Sequence, residues 1–263
     1  MPTLNLPLGN APAQAIVLAA GRGERMRPLT DASPKPLLSV RGQPLLHWHL
    51  DALARSGWRR ALINTAWLGE QIPARFGTRW SRPGAAAGAP DLELVYSMEA
   101  RDFGGALETA GGIARALPEL DARFWVVAGD VFVPGFEFAA EAMQRFAASD
   151  RLAHLWLVPN PVHHPQGDFG LSPEGLALNL APEAPGPRYT YSTLGLYRRE
   201  LFGSPWLDIP AGNPQGQAAA LGPLLRHAID QGRVSAELWP GAWTDVGTPE
   251  RLAALNQYQD SYR

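Results

Sequence analysis

The 263-residue chain has no cysteine, and among its 23 basic side chains only one, Lys35, is a lysine. The absence of cysteine excludes a disulfide scaffold, thiolate metal sites and a cysteine nucleophile. No apolar run approaches the ~18 residues that a membrane helix needs. Met1 to Ala13 lacks the basic start and apolar stretch of a signal peptide. These absences point to a soluble, cytoplasmic protein, with residues 1–13 as a flexible extension and 14–263 as one domain. A net charge of −2 and a pI near 6.3 give no basic excess for nucleic acid. Small-molecule partners are therefore expected, with the chain a monomer or small homo-oligomer. With 46% hydrophobic and 18% charged residues, the chain is globular and long enough for a large core.

What the sequence has in quantity is punctuation: 27 glycines and 25 prolines, which keep strands and helices short. Ala15 to Ala20 (AIVLAA) has the continuity of a buried parallel strand. Strand-like runs recur at Ala61–Thr65, Leu92–Tyr96, Phe124–Ala128 and His154–Val158. Helical spacing marks Pro44–Ser56, Gly69–Phe76, Ala110–Leu117 and Phe138–Ala148. This alternation predicts an α/β fold with a Rossmann-like, doubly wound, mostly parallel sheet. Past Pro159 the pattern loosens into two antiparallel-looking runs, Tyr189–Tyr197 and Val234–Trp239, and helices over Ala218–Gln231 and Pro249–Tyr258. The second half thus elaborates the same domain.

The loop after the first strand, Leu18-Ala-Ala-Gly-Arg-Gly-Glu-Arg-Met-Arg-Pro28, carries the strongest signal. Small residues at Ala20, Gly21 and Gly23 let backbone amides approach an anion. Arg22, Arg25 and Arg27 supply charge enough to neutralise a triphosphate. Met26 breaks the dinucleotide fingerprint, and no Gly-Lys-Ser/Thr follows to make a P-loop. Ser33-Pro-Lys-Pro-Leu37 then holds Lys35 between two prolines, on a nearly rigid backbone. There it is a compact, positioned point charge suited to a phosphate oxygen, which an arginine would not match.

Two carboxylates stand out further on. Asp130 ends the apolar strand Phe124-Trp-Val-Val-Ala-Gly, where α/β sheets bind ligands. Asp245 lies in Trp243-Thr-Asp-Val-Gly-Thr-Pro-Glu250, just before a helix opening at Pro249. Each reads either as a Mg²⁺ ligand or as a turn cap, although Thr248 is the better helix cap.

Leu18-Ala-Ala-Gly-x-Gly-x-Arg-Met-x-Pro with Pro34-Lys35-Pro36 resembles the sugar-phosphate nucleotidyltransferases, and the likeness runs from about Gln14 to Leu255. It implies the nucleotide-diphospho-sugar transferase fold and an NTP and a sugar 1-phosphate as substrates. It further implies Arg25 and Lys35 as catalytic groups on the triphosphate. The loop at Leu18, Ala20, Gly21 and Gly23 would wrap the nucleotide, and Asp130 and Asp245 would hold Mg²⁺. The equivalent of Glu108-Thr-Ala-Gly111-Gly112 reads the nucleobase, and Glu108 either accepts from a base N–H or sits at a helix N-terminus.

The polar stretch Val158 to Phe169 offers Asn160 and Asp168 to sugar hydroxyls or an acetamido group. Its adjacent His163 and His164 would face apart, with no third ligand near, and read as a solvated loop. These segments, with Asn64 to Ile72, look most like the branch that uses UTP and N-acetylmuramate α-1-phosphate in cell-wall sugar recycling. Thr193 stands beside the sugar pocket where that branch suggests glycine, and Gly170 where a basic residue can occur. The second lysine that relatives place on the sugar phosphate is missing, which leaves metal, arginine or backbone amides for that task. A guanylyltransferase for mannose 1-phosphate and a catalytically silent sugar-nucleotide sensor are the competing expectations.

Overall fold

The computed structural model describes residues 11–257 apart from Ala87 and Pro182. Most of the expected N-terminal extension, and the end of the last predicted helix at Tyr258, lie outside the described residues. The core is an eight-stranded sheet: β1 (Ala13–Ala19), β2 (Arg60–Thr65), β3 (Arg79–Trp80), β4 (Leu92–Met98), β5 (Leu120–Ala128), β6 (Ala153–Val158), β7 (Thr190–Arg198) and β8 (Val234–Leu238). Their spatial order is β8-β6-β7-β5-β1-β2-β4-β3. β1 lies parallel to both β5 and β2, β2 parallel to β4, and β6 parallel to β8. Only β7 and the short edge strand β3 run against their neighbours.

Besides a single helical turn at Leu29–Ala32, the α-helices are α1 (Leu45–Arg55), α2 (Gln71–Phe76), α3 (Glu99–Phe103), α4 (Glu108–Ala116), α5 (Ala140–Ala148), α6 (Leu221–Asp230) and α7 (Pro249–Gln257). They cover both faces of the sheet, so its central strands are apolar throughout. Along β1, Ala15 and Val17 join one buried cluster with Leu46, Leu50 and Leu53 of α1. Ile16, between them, faces the other cluster with Ile113 of α4 and Leu224 of α6. That two-residue alternation is why AIVLAA reads as an unbroken apolar run. Each fully buried leucine of α1 contributes about 2 kcal/mol.

Two expectations are corrected. β1 begins at Ala13, fully buried, one residue inside the stretch expected to be loose. Val234–Leu238 pairs parallel, not antiparallel, with β6, because β8 enters the sheet edge at the end where β6 also starts, Val234 opposite Ala153. The antiparallel expectation holds for β7. Among the described residues no helix is long and apolar enough to cross a membrane.

Candidate active site

The carboxyl ends of β1, β2 and β5 open into a cavity of about 920 Å³. This is where an open α/β sheet presents loops rather than side chains of its core. Leu18, Ala20, Gly21, Gly23 and Arg25 form one wall. Gly23 has φ +66°, and a Cβ there would sit 3.1 Å from Thr30 Cγ2 and 3.5 Å from Lys35 Cβ. Both its conformation and its surroundings therefore call for glycine. The Thr30 hydroxyl donates to the Gly23 carbonyl at 2.8 Å and fixes the turn.

The three arginines of this loop part company. Arg22 donates to Asp31 and to the Thr30 carbonyl, each at 3.0 Å, and stacks on Trp67. Arg27 also donates to Asp31. The Arg22 hydrogen bond, helped by Arg27, holds the Asp31 carboxyl below its usual range. Only Arg25 lines the cavity, exposed and without a hydrogen bond or ion pair to any described residue. The expected threefold charge is thus one free charge, with two arginines spent on shaping the loop.

Lys35 lies against this loop, in a short turn after Pro34. Its ammonium lies 2.6 Å from Asp130 Oδ2, and its side chain is only 10% exposed. The Gly129 amide donates to the Leu18 carbonyl at 2.7 Å, so the ends of β1 and β5 are tied where Asp130 emerges. A Cβ at Gly129 would come within 2.9 Å of that carbonyl. Asp245 is brought alongside by a two-stranded ribbon, Thr244–Asp245 against Val131–Phe132, and the Val246 amide donates to the Asp130 carbonyl at 2.8 Å. Asp245 Oδ2 accepts from Arg251. Its Oδ1 is buried and makes no hydrogen bond, although His163 Nε2 lies 2.8 Å away. The ribbon thus sets Asp245 beside Asp130 in the backbone, although Asp245 does not line the cavity, and carboxylates are the oxygen ligands that a hard divalent cation takes. The Arg251 amide meets Thr248 Oγ1 at 3.4 Å, which leaves the capping of α7 to Thr248.

Near the start of α4, sequence reasoning missed a buried network. Asn64, at the end of β2, accepts from the Ala19 amide at 2.9 Å through Oδ1 and donates to Glu99 Oε1 at 2.7 Å. Glu99, wholly buried, also accepts from the Leu107 amide at 2.8 Å. Burial raises the Glu99 carboxyl, against those two hydrogen bonds and the charge of Arg115. One carboxylate, through Asn64, therefore joins the end of β1 to the loop opening α4. Asn64 was discoverable as the polar end of an apolar strand; Glu99, in a charged helix, carried no such signal.

Glu108 lines the cavity, exposed, with φ +56°, uncommon for a side chain of its kind. Gly111 and Gly112 do not line it. A Cβ at Gly112 would stand 2.5 Å from Glu99 Oε1, and one at Gly111 2.5 Å from the Gln217 carbonyl. These glycines let α4 pack against its supports.

Further along, Asp168 and Thr193 line the cavity, with Tyr191 and Phe169. Asp168 Oδ2 accepts from the Tyr191 amide at 2.8 Å, and Oδ1 lies 3.1 Å from His164 Nε2. The two histidines do face apart, but each meets a carboxylate, so neither belongs to a purely solvated loop. Thr193 has φ +65°, where the register of β7 against β6 shifts between Tyr191 and Gly195. That conformation explains the glycine expected there. Asn160 is off the cavity wall. It donates to the Pro165 and Arg188 carbonyls and accepts from Thr190, so it braces the loop that carries Asp168. At Gly170 a Cβ would meet Leu180 at 2.7 Å, leaving no room for a basic side chain. Arg226 of α6, which sequence reasoning did not single out, also lines this end.

Residues 14–261 match the family described as Nucleotidyl transferase. The chain belongs to that family. It is 45% identical over 246 residues to the N-acetylmuramate alpha-1-phosphate uridylyltransferase of Neisseria meningitidis serogroup B, covering 91% of this chain and 95% of the relative. A protein of the same name from Caulobacter vibrioides is 32% identical over 94% of this chain and 97% of its own length. Among solved structures, a Bacillus anthracis protein crystallised with sucrose superposes with a TM-score of 0.72 at 18% identity, over 95% of this chain and 96% of that one. The inositol-1-phosphate CTP transferase of T. maritima does so with a TM-score of 0.64 at 17% identity, over 95% and 98%. As a member of this nucleotidyl transferase family the chain is an enzyme of sugar-1-phosphate nucleotidyl transfer, with the family's mostly parallel sheet. The expected fold and family are borne out.

Proposed function

We propose that this nucleotidyl transferase joins UTP to N-acetylmuramate α-1-phosphate, giving UDP-N-acetylmuramate and pyrophosphate. The observation that carries the choice of substrates is the end-to-end likeness to two proteins of that activity, at 45% and 32% identity. A phosphate oxygen of the sugar 1-phosphate attacks the α-phosphorus of UTP in line. The bond from that phosphorus to the β-phosphate bridging oxygen breaks, and its electron pair leaves with pyrophosphate. The attacking phosphate is already ionised at neutral pH, so no side-chain nucleophile is required.

What the protein supplies is orientation and charge. Backbone amides from Ala20 to Gly23 face the triphosphate, Arg25 brings an unpaired charge, and Lys35 brings a rigidly held one. Asp130 and Asp245 would hold Mg²⁺, which when bound offsets charge on the phosphates. Glu108 faces the uracil, and Asp168 and Thr193 face the sugar. The reaction is assigned to the cytoplasm, where it would return a cell-wall sugar to its nucleotide-activated form. Residues 14–263 act as one domain.

The test is pyrophosphate release across UTP, GTP, CTP and dTTP, each against the 1-phosphates of N-acetylmuramate, N-acetylglucosamine, glucose and mannose. The highest kcat/KM is expected for UTP with N-acetylmuramate 1-phosphate. A preference for GTP and mannose 1-phosphate, or no release with any pair, overturns the assignment.

A further inference from the structure

Arg226 is a charge for which no described residue provides a counter-charge. It lies one turn before Asp230 on α6, at the spacing that favours an ion pair, yet it makes none with any described residue. Asp230 instead accepts from Asn179 Nδ2, at 3.0 and 3.2 Å. That contact orients the Asn179 amide so that its Oδ1 accepts from Arg226 at 2.7 Å. The guanidinium is thus held by a neutral oxygen, and it lies 5.1 Å from the centre of the Phe169 ring, itself part of the cavity wall. Its direction is fixed and its charge is left for something in the cavity.

Its position selects among anions. The hairpin Gly170–Leu171/Ala177–Leu178, which leads into Asn179, is tied to β8, the sheet edge on the sugar side. Leu176 bridges to Ser235, and the Ala236 amide donates to the Gly175 carbonyl. Arg25 and Lys35, proposed for the phosphates, and Asp130, proposed for the metal, follow β1 and β5, with β7 and β6 between them and that edge. A sugar 1-phosphate whose phosphate meets those groups directs the opposite side of its ring toward α6. N-acetylmuramate differs from N-acetylglucosamine by a lactyl ether on O3, two carbons round the ring from C1, whose chain extends away from C1 and ends in a carboxylate.

We propose that Arg226, oriented by Asn179 and Phe169, binds the lactyl carboxylate and so selects N-acetylmuramate over sugars without that group. This inference rests on the proposed function. A guanidinium with one nitrogen already engaged keeps four further N–H groups, enough for a bidentate carboxylate contact.

Calorimetry with two nucleotide sugars isolates the lactyl group, since UDP-N-acetylmuramate and UDP-N-acetylglucosamine differ in nothing else. The wild-type enzyme should bind the first more tightly. Arg226→Ala should lose about 10- to 100-fold in affinity for it, the scale of a charge-assisted contact, and bring the ratio of the two Kd values near one. Arg226→Lys should recover part of the ratio. Equal loss for both ligands would assign Arg226 to the phosphates or to packing, and an unchanged ratio would remove it from recognition; either overturns the proposal. Arg226 is exposed, so unchanged melting temperatures should accompany these results. Pyrophosphate release by the wild-type enzyme separates the two readings. No turnover of N-acetylmuramate 1-phosphate defeats the proposed function, whereas turnover with an unchanged ratio defeats only the role of Arg226.

Discussion

Lys35 Nζ and Asp130 Oδ2 are 2.6 Å apart, between a lysine side chain 10% exposed and a carboxylate 43% exposed. The more buried partner is the cation, so Asp130 offsets the cost of keeping the ammonium out of water. The pair also joins the turn after Pro34 to the end of β5, which positions the one lysine of the chain before any substrate arrives.

Lys35→Ala should therefore lower kcat by about 10²–10³, the scale of a lost transition-state charge contact. Lys35→Arg should not restore it. The lysine stem already lies within 3.6 Å of where a Cβ on Gly23 would be, and a wider guanidinium has no slot there. Pyrophosphate release under saturating substrates reads both effects, and a Lys35→Ala enzyme of wild-type rate would remove the residue from the chemistry.

Gly21 and Gly112 separate ligand contact from packing. A Cβ on Gly21 meets nothing within 4 Å, and its φ is not in the left-handed region, so Gly21→Ala should fold with an unchanged melting temperature. It should raise KM for UTP several-fold, because the methyl group occupies the approach to the phosphates. Gly112→Ala drives a Cβ to 2.5 Å from Glu99 Oε1 and 2.9 Å from Asn64 Nδ2. That variant should lose about 1–3 kcal/mol of stability, the cost of overpacking. Thermal melts beside KM measurements distinguish the two; a destabilised Gly21→Ala protein would contradict the open space at that position.

Thr193 gives a prediction of unusual sign. Glycine within a regular strand costs up to ~1 kcal/mol, but here the native φ is +65° and the side chain is β-branched. Thr193→Gly should melt at a higher temperature than both the wild type and Thr193→Val, with a gap of about 1–2 kcal/mol to the valine variant. Denaturant titration of the three proteins tests this, and a less stable glycine variant would show that the Thr193 hydrogen bond to the Ser192 carbonyl outweighs the strain.

Much of this site was legible in the chain because its signals are local. The run AIVLAA, the glycines after it, Pro34-Lys35-Pro36 and the Asp that ends FWVVAG each declare a strand, a loop or a rigid turn within ten residues. Contacts between distant segments were not legible. Arg22 and Arg27 looked equivalent to Arg25 until Asp31 and Trp67 were seen to engage them. Gly111, Gly112 and Asn160 have the residue types of a binding site but are needed where backbone or a buried carboxylate comes close. Glu99, which ties two loops together, lies in a charged helix whose burial follows only from the sheet beneath it.

His49 provides a pH test of the wall behind Asp130. It is buried in α1, and burial pushes its imidazole down to about 4, against a hydrogen bond to the Val131 backbone and the nearby Asp130 charge. In the unfolded chain it titrates near 6.5. Between those values the unfolded state takes up a proton that the native state refuses, so stability is highest above pH 6.5 and falls as pH drops toward 4. The whole window is worth about 3 kcal/mol. His49→Gln retains a side-chain donor for the Val131 backbone but cannot titrate. Urea unfolding at pH 7.5 and 4.5 should show a smaller acid loss in the variant than in the wild type, by a sizeable part of that amount. Equal losses in the two proteins would mean that His49 is protonated in the native state, with the buried wall open to water beneath Asp130.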